Sequence, residues 1–205
     1  MARIARLAVL LLFVVGAGFW VGSWWRDQQQ DPRNSGSVGV PGGVSIGGAF
    51  SLVTPDGRTV TDRDFRGKVM LVYFGYTFCP DVCPTELQSV AASLALLGDQ
   101  AAQVAPIFIT VDPERDTPKA MGEYVKLFDD RIVGLSGSLD QIARVAKAYR
   151  VYYAKAETKG ASTYLMDHSS FIYVIGSDGG FKALIKPGAK PEEIAGIVRA
   201  QLGRS

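Results

Sequence analysis

A nearly unbroken run of apolar and aromatic residues, KVMLVYFGY at positions 68–76, constrains the fold more than any other stretch of the chain. The run has the length of a β-strand, and because it lacks alternating polar residues, both of its faces must be covered. Shortly after it, TELQSVAASLALLG at 85–98 repeats apolar residues at helical spacing and ends on a glycine. The sequence therefore predicts a central buried strand that leads into an amphipathic helix.

The segments that follow alternate between strand and helix patterns, which is typical of an α/β fold. They comprise a strand at 104–112, helices at 117–128 and 138–149, strands at 170–176 and 180–186, and a helix at 190–202. Turn signals predict two further strand pairs, a hairpin from 50–53 and 58–60 and a protruding pair from 151–153 and 162–165. We therefore predict a thioredoxin-like α/β domain, in which two parallel strands and an antiparallel hairpin form a central mixed sheet flanked by helices.

An uncharged apolar block from Leu7 to Trp25 precedes this domain. It is long enough to cross roughly 30 Å of hydrocarbon as a helix. The preceding Arg3 and Arg6 favour an orientation that leaves the N-terminus inside and the globular part outside. We predict a membrane anchor over residues 1–26, with one transmembrane helix; small residues within the block leave a cleaved signal peptide as the alternative.

Residues 27–47 are mostly polar residues, proline and glycine, with too little apolar surface to offset the entropy of ordering. They are predicted to form a flexible linker to a domain at 48–205. A domain outside the membrane meets conditions in which thiols tend to oxidise. The net charge is only +2, and the sequence has no basic stripe interleaved with aromatic residues, so a nucleic-acid partner is not predicted.

The only two cysteines, Cys79 and Cys83, lie four positions apart in the segment that joins the buried strand to the helix. This spacing near a helical turn brings the side chains to one side, where they could form a disulfide or chelate one ion. The helix N-terminus is expected to lower the pKa of at least one thiol. Three interpretations therefore remain open for the pair: a structural disulfide, a redox-active pair, or part of a metal site.

His168 is the only histidine of the chain and lies at the open end of the penultimate predicted strand pair. In thioredoxin-like topology this position lies beside the strand-to-helix turn that carries Cys79 and Cys83. The three side chains together would offer two sulfurs and one imidazole, which suit Cu(I) by softness and can also hold Cu(II). Zinc is the competing metal, because it accepts the same set of ligands.

Charged residues near these positions are candidates for supporting roles. Asp112 ends the second predicted strand at the sheet edge where ligand sites of such folds lie, so it is expected to face the site. Asp167 precedes His168 and is expected to hold its ring through a hydrogen bond. Asp81 and Glu86 are interpreted as solvated residues or as residues that pair with a helix terminus. Glu114, Arg115 and Asp116 are interpreted as a local turn and cap network or a docking surface for a partner. Tyr76, Thr77 and Phe78 are interpreted as a packed wall beside the cysteines.

Three motifs, YFGYTFCPDVCPTEL, VDPERDTP and DHSSFIYVIGSDG, follow the apolar N-terminal block in this order. From about residue 48 onward the chain resembles the Sco/SenC family of copper chaperones. The resemblance implies a thioredoxin-like fold in which Cys79, Cys83 and His168 bind one copper ion, Cu(I) or Cu(II). It also implies a role in building the binuclear copper A centre of cytochrome c oxidase, in the bacterial periplasm or the mitochondrial intermembrane space.

We therefore expect a single-pass inner-membrane protein that acts mainly as a metallochaperone. Its expected partners are the oxidase subunit that carries the copper A site, other copper chaperones or thiol reductants, and the membrane itself through the N-terminal helix. The alternative is a thiol-disulfide oxidoreductase, in which Cys79 and Cys83 form a catalytic redox pair that reduces the cysteines of the oxidase copper site.

Overall fold

The fold was established from a computed structural model, which describes residues 37–38, 46–156 and 163–203. Within these ranges the strands are β1 (Ser37–Val38), β2 (Ser51–Val53), β3 (Thr59–Thr61), β4 (Val69–Gly75), β5 (Val104–Thr110), β6 (Val133–Leu135), β7 (Tyr153–Ala156), β8 (Leu165–His168), β9 (Ile172–Ile175) and β10 (Phe181–Ile185). The α-helices of the same ranges are α1 (Val82–Leu97), α2 (Pro118–Val125), α3 (Leu139–Tyr149) and α4 (Pro191–Leu202). Two 3₁₀ helices cover Asp62–Phe65 and Gly98–Gln103.

The main sheet is mixed and has the strand order β1-β10-β9-β4-β5-β6. Strands β4, β5 and β6 run parallel, whereas β9 pairs antiparallel with β4, and β10 pairs antiparallel with β9. Strand β4 lies between β9 and β5, and all seven of its residues are buried, as the apolar run predicts. The predicted thioredoxin-like α/β fold with a central mixed sheet is therefore confirmed.

Helices cover both faces of β4. Successive side chains of a strand point in opposite directions, so neighbouring residues of β4 contact different helices. Phe74 points to α3, where its ring centroid lies 5.3 Å from that of Tyr149. Tyr73 and Gly75 face α1 and meet the sulfur of Cys83. The cysteine-bearing helix therefore packs on the face of the sheet opposite to α3.

Two parts of the predicted secondary structure were wrong. Strand β6, a third parallel strand, was not predicted, because three residues centred on Gly134 carry no strand pattern of their own. The protruding pair was predicted at 151–153 and 162–165, whereas β7 and β8 pair Tyr153 with His168 and Ala156 with Leu165. This shift places His168 at the end of a strand and not in the turn after it.

The predictions for the N-terminal region are tested in only a small part. The predicted anchor at 1–26 lies outside the described residues, and within the described ranges no helix has the length and apolar character needed to cross a bilayer. Ser37–Val38, inside the predicted linker, forms β1 and pairs antiparallel with Leu184 and Ile185 of β10. These two residues therefore extend the main sheet beside β10, and the linker at 27–47 stays a prediction.

Candidate metal centre

The two cysteines lie at the junction between the end of β4 and the first turn of α1. Cys79 lies on the loop before the helix, and its sulfur accepts a hydrogen bond from the backbone N–H of Cys83 at 3.4 Å. It thereby satisfies one of the N–H groups that the first turn of a helix leaves unpaired. Cys83 lies within that first turn and is completely buried, whereas Cys79 retains 9% exposure. The Cys79 sulfur therefore lies at the rim of the candidate site, next to solvent, and the Cys83 sulfur lies in its interior.

Gly75 makes room for the inner sulfur. A Cβ atom at this position would lie 2.7 Å from Cys83 Sγ and 2.8 Å from a ring carbon of Phe108, closer than real Cβ contacts allow. The hydroxyl of Tyr73 donates a hydrogen bond to the same sulfur from 3.8 Å. Cys83 is therefore packed directly against the backbone of the central strand.

His168 reaches the cysteines from β8. Its Nε2 atom lies 3.4 Å from Cys83 Sγ, and its Nδ1 atom lies 3.2 Å from the carbonyl oxygen of Ser169. Since a carbonyl oxygen can only accept, Nδ1 carries the proton and Nε2 keeps a lone pair directed at the sulfurs. The rings of Tyr73 and Tyr76 meet the imidazole edge-on, with centroids 6.2 and 5.8 Å away. These contacts define both the tautomer and the orientation of the ring.

Two sulfurs and one imidazole nitrogen thus converge. The ligand atoms of Cys79, Cys83 and His168 all lie within 4.8 Å of one another. The structure therefore brings together the three side chains that the sequence predicted as ligands, although 85 residues separate Cys83 from His168.

The comparisons with known proteins agree with this geometry. Residues 40–203 match the family described as SCO1/SenC. The chain belongs to the SCO1/SenC family. The mitochondrial SCO1 homologue of Mus musculus is 36% identical over 201 residues, which cover 95% of this chain and 70% of the mouse protein.

Two solved Sco structures have the same fold as the described domain. Copper-bound ScoI of Bradyrhizobium japonicum is 45% identical, with a TM-score of 0.71, and the match covers 76% of this chain and 99% of that chain. Copper-bound ScoI of Arabidopsis thaliana is 40% identical, with a TM-score of 0.73, and the match covers 78% of this chain and 99% of that chain.

The two thiols of this Sco domain have opposite electrostatic environments. A hydrogen bond from the Cys83 thiol is the main cause that lowers the pKa of Cys79, and backbone N–H groups of Asp81 and Cys83 add to it. The pKa of Cys83 is raised, first because its proton is held in the bond to Cys79 and second because the thiol is buried. In the reduced protein these shifts favour the thiolate form at Cys79 and the protonated form at Cys83.

The carboxylates of Asp112 and Asp167 do not take the supporting positions beside the candidate ligands that the sequence predicted. Asp112 is buried, but its carboxylate accepts hydrogen bonds from Arg115 Nε and, at 2.9 Å, from the hydroxyl of Tyr164. Asp167 is exposed and adjacent to His168 in β8, so its side chain points to the opposite face of the strand. The acceptor for His168 Nδ1 is the backbone of Ser169 instead.

Sequence reasoning missed the residue that holds the cysteine loop. The buried carboxylate of Asp116 accepts hydrogen bonds from Thr77 N at 3.0 Å, Thr77 Oγ1 at 2.5 Å and Thr110 Oγ1 at 2.7 Å. Burial raises the pKa of this carboxyl group. The sequence had indicated only a local turn around Asp116, whereas Thr77 is 39 residues away and two residues before Cys79.

Glu86 has a structural role. It is buried in α1, and one carboxylate oxygen accepts a hydrogen bond from the backbone N–H of Gly188 at 2.6 Å. This bond ties α1 to the loop before α4, and burial raises the pKa of the carboxyl group. The sequence had indicated solvation or pairing at a helix terminus for Glu86, whereas this side chain is buried and pairs with a loop backbone.

Alkylation of the reduced protein with iodoacetamide tests the asymmetry of the two thiols. A lowered pKa leaves the thiolate present down to lower pH, so the Cys79 rate should stay on its plateau through neutral pH and fall only in acid. A raised pKa should keep Cys83 unreactive until well above about pH 8.5, the ordinary thiol value. Peptide mass spectrometry at low conversion measures both profiles.

Cys83→Ala is the matched variant for this experiment. It removes the thiol that lowers the pKa of Cys79, so the Cys79 profile should move to higher pH. If the alkylation rates of both cysteines rose together near about pH 8.5 in the unmodified protein, the described pKa asymmetry would be contradicted.

Proposed function

We propose that this chain is a membrane-anchored copper chaperone, which binds one copper ion through Cys79, Cys83 and His168 and delivers it to another protein. The observation that carries the proposal is the convergence of two sulfurs and one imidazole nitrogen within 4.8 Å. Sulfur ligands suit Cu(I), and imidazole adds the capacity to hold Cu(II). Zinc accepts similar ligands, but the two Sco structures compared above have copper bound.

The arrangement of the ligands suits transfer of the ion. Cys83 is buried against β4, whereas Cys79 lies at the rim beside Phe78, a side chain that is 57% exposed. A ligand from a partner protein would therefore approach from the side of Cys79, and copper would dissociate from Cys83 after it dissociates from Cys79. Cys79 needs no loss of a proton before it binds, because its lowered pKa keeps it as a thiolate.

The proposed setting follows the resemblance and the names of relatives. The mouse relative is a mitochondrial protein. We place the domain outside an inner membrane, in the periplasm or the mitochondrial intermembrane space, with residues 1–26 as its single-pass anchor. The proposed receiver is the cytochrome c oxidase subunit that carries the copper A site, and other copper chaperones or thiol reductants would supply copper or electrons.

The asymmetry of the two cysteines supports a second candidate function, reduction of a disulfide in the target. The Cys79 thiolate would attack the target disulfide and release one target thiolate. Cys83 would then attack the mixed disulfide, which frees the second target thiol and leaves a Cys79–Cys83 disulfide. This cycle requires an external thiol reductant to restore the pair, and it competes with copper binding for the same two sulfurs.

Removal of the imidazole tests the three-ligand site. His168→Ala should lower the copper affinity of the full-length protein by at least about 100-fold, because loss of a supporting residue alone costs 10- to 100-fold. Competition with a chelator of known affinity measures the change, and Asp167→Ala is the control, since that side chain is exposed on the opposite face of β8. An affinity unchanged by His168→Ala would contradict the proposed site.

Gly75→Ala tests whether the inner sulfur must pack against the sheet. The added Cβ would lie 2.7 Å from Cys83 Sγ, so the sulfur must shift and copper affinity should fall by about tenfold or more. Gly196→Ala is the control, because a Cβ there, on the exposed side of α4, meets no atom within 4 Å. Equal affinities of the two variants would contradict the role assigned to Gly75.

A further inference from the structure

The ligands of the candidate metal centre come from two separate parts of the fold. Cys79 and Cys83 lie at the junction of β4 and α1, whereas His168 lies on the β7–β8 pair, here called the histidine hairpin. The hairpin forms its own two-stranded sheet and adds no strand to the main sheet. Since an isolated two-stranded hairpin is marginally stable in water, tertiary contacts must determine where His168 stands.

Arg115 binds the histidine hairpin at its entry into β8. Its Nη1 atom donates hydrogen bonds to the carbonyl oxygen of Tyr164 at 2.9 Å and to Thr163 Oγ1 at 3.1 Å. Its Nε atom donates to the carboxylate of Asp112, whose other oxygen accepts from the hydroxyl of Tyr164 at 2.9 Å. Arg115, Asp112 and Tyr164 therefore form a closed set of contacts, here called the arginine clamp.

The same guanidinium group also contacts the cysteine loop. Its central carbon lies 3.8 Å from the ring centroid of Tyr164, 4.8 Å from that of Phe78 and 5.8 Å from that of Tyr76. Phe78 is adjacent to Cys79, and the ring of Tyr76 meets the imidazole of His168. One cation is thus in contact with both of the segments that carry the ligands.

Burial makes the clamp stronger than an ordinary surface ion pair. The side chain of Arg115 is 15% exposed and that of Asp112 only 2%, so the ion pair is poorly screened by water. A second ion pair joins the same segments, between Lys155 and Glu114, but these side chains are 52% and 47% exposed. Exposed ion pairs of this kind contribute little to stability. Of the two ion pairs that join these segments, the buried one made by Arg115 is therefore the stronger.

The chemistry of arginine is needed at this position. The planar guanidinium group donates in two directions at once, from Nε to Asp112 and from Nη1 to the backbone of Tyr164. A lysine would keep the positive charge over the aromatic rings but could not make both contacts in a fixed geometry. We propose that Arg115 is a positioning residue that sets the place of His168 relative to the two cysteines.

This inference rests on the proposed copper site and predicts a coupling between Arg115 and His168. Without the clamp, the imidazole should spend less time near the sulfurs, while Cys79 and Cys83 keep their own contacts with β4 and α1. A clamp variant should therefore resemble a protein that lacks the imidazole. Once the imidazole is removed, loss of the clamp should no longer change the copper affinity.

The test is a double-mutant cycle on the full-length protein. Arg115→Gln should lower copper affinity by about tenfold or more and weaken the imidazole nitrogen hyperfine coupling in the electron paramagnetic resonance spectrum of the Cu(II) form. In a His168→Ala background the same change should alter affinity by less than about twofold. Glu114→Gln, which breaks the exposed ion pair between the same segments, is the matched control and should behave as the unmodified protein.

A measurement without copper tests the clamp independently. Arg115→Gln should speed hydrogen exchange of the β8 amides in the metal-free protein, while the amides of β4 keep their protection. If Arg115→Gln does not fold, Arg115→Lys supplies the same test, because it keeps a counter-charge for Asp112 and loses the fixed two-directional contact.

The outcomes separate the two proposals. Equal losses of affinity with and without His168, or unchanged β8 exchange, overturn the positioning role of Arg115. If the unmodified protein binds no copper, the proposed function fails, and the exchange of the β8 amides alone then decides whether Arg115 positions the hairpin.

Discussion

The packing of the Cys83 sulfur against Gly75 is the contact on which the rest of the site depends. Because Gly75 has no side chain, the sulfur reaches the backbone of β4 and holds the first turn of α1 there. The hydrogen bond to Cys79 and burial raise the pKa of the Cys83 thiol, whereas the pKa of Cys79 at the rim is lowered. Cys83 Sγ also lies 3.4 Å from His168 Nε2. One contact thus determines the position of the helix, the distribution of charge and the distance to the imidazole.

The local part of this arrangement could be predicted from the sequence, because its signals are local. Burial on both faces makes 68–76 an apolar run, and the helical period after it predicts α1, so the cysteines had to lie at a strand-to-helix junction. The position of His168 was a topological inference, and the structure brings the ring to the sulfurs. The resemblance to the Sco/SenC family pointed to the same residues.

The rest could not be predicted, because it depends on contacts between distant segments. Strand β6 exists through its pairing with β5 and through Gly134, where a Cβ would lie 2.9 Å from the carbonyl oxygen of Met121. The register of the histidine hairpin, which pairs Tyr153 with His168, is not signalled by the pattern of either strand. Asp116, which holds Thr77, and the Ser169 carbonyl, which orients His168, act through hydrogen bonds that no periodicity signals.

The candidate site therefore combines two cysteines at the junction of β4 and α1 with an imidazole that is held by contacts between distant segments. Such a division suits the proposed chaperone, which would both bind an ion and release it. X-ray absorption spectroscopy of the full-length protein loaded with one equivalent of Cu(I) tests this account most directly. It predicts two sulfur ligands and one imidazole in the coordination sphere; a sphere with fewer than two sulfurs, or with no imidazole, would contradict it.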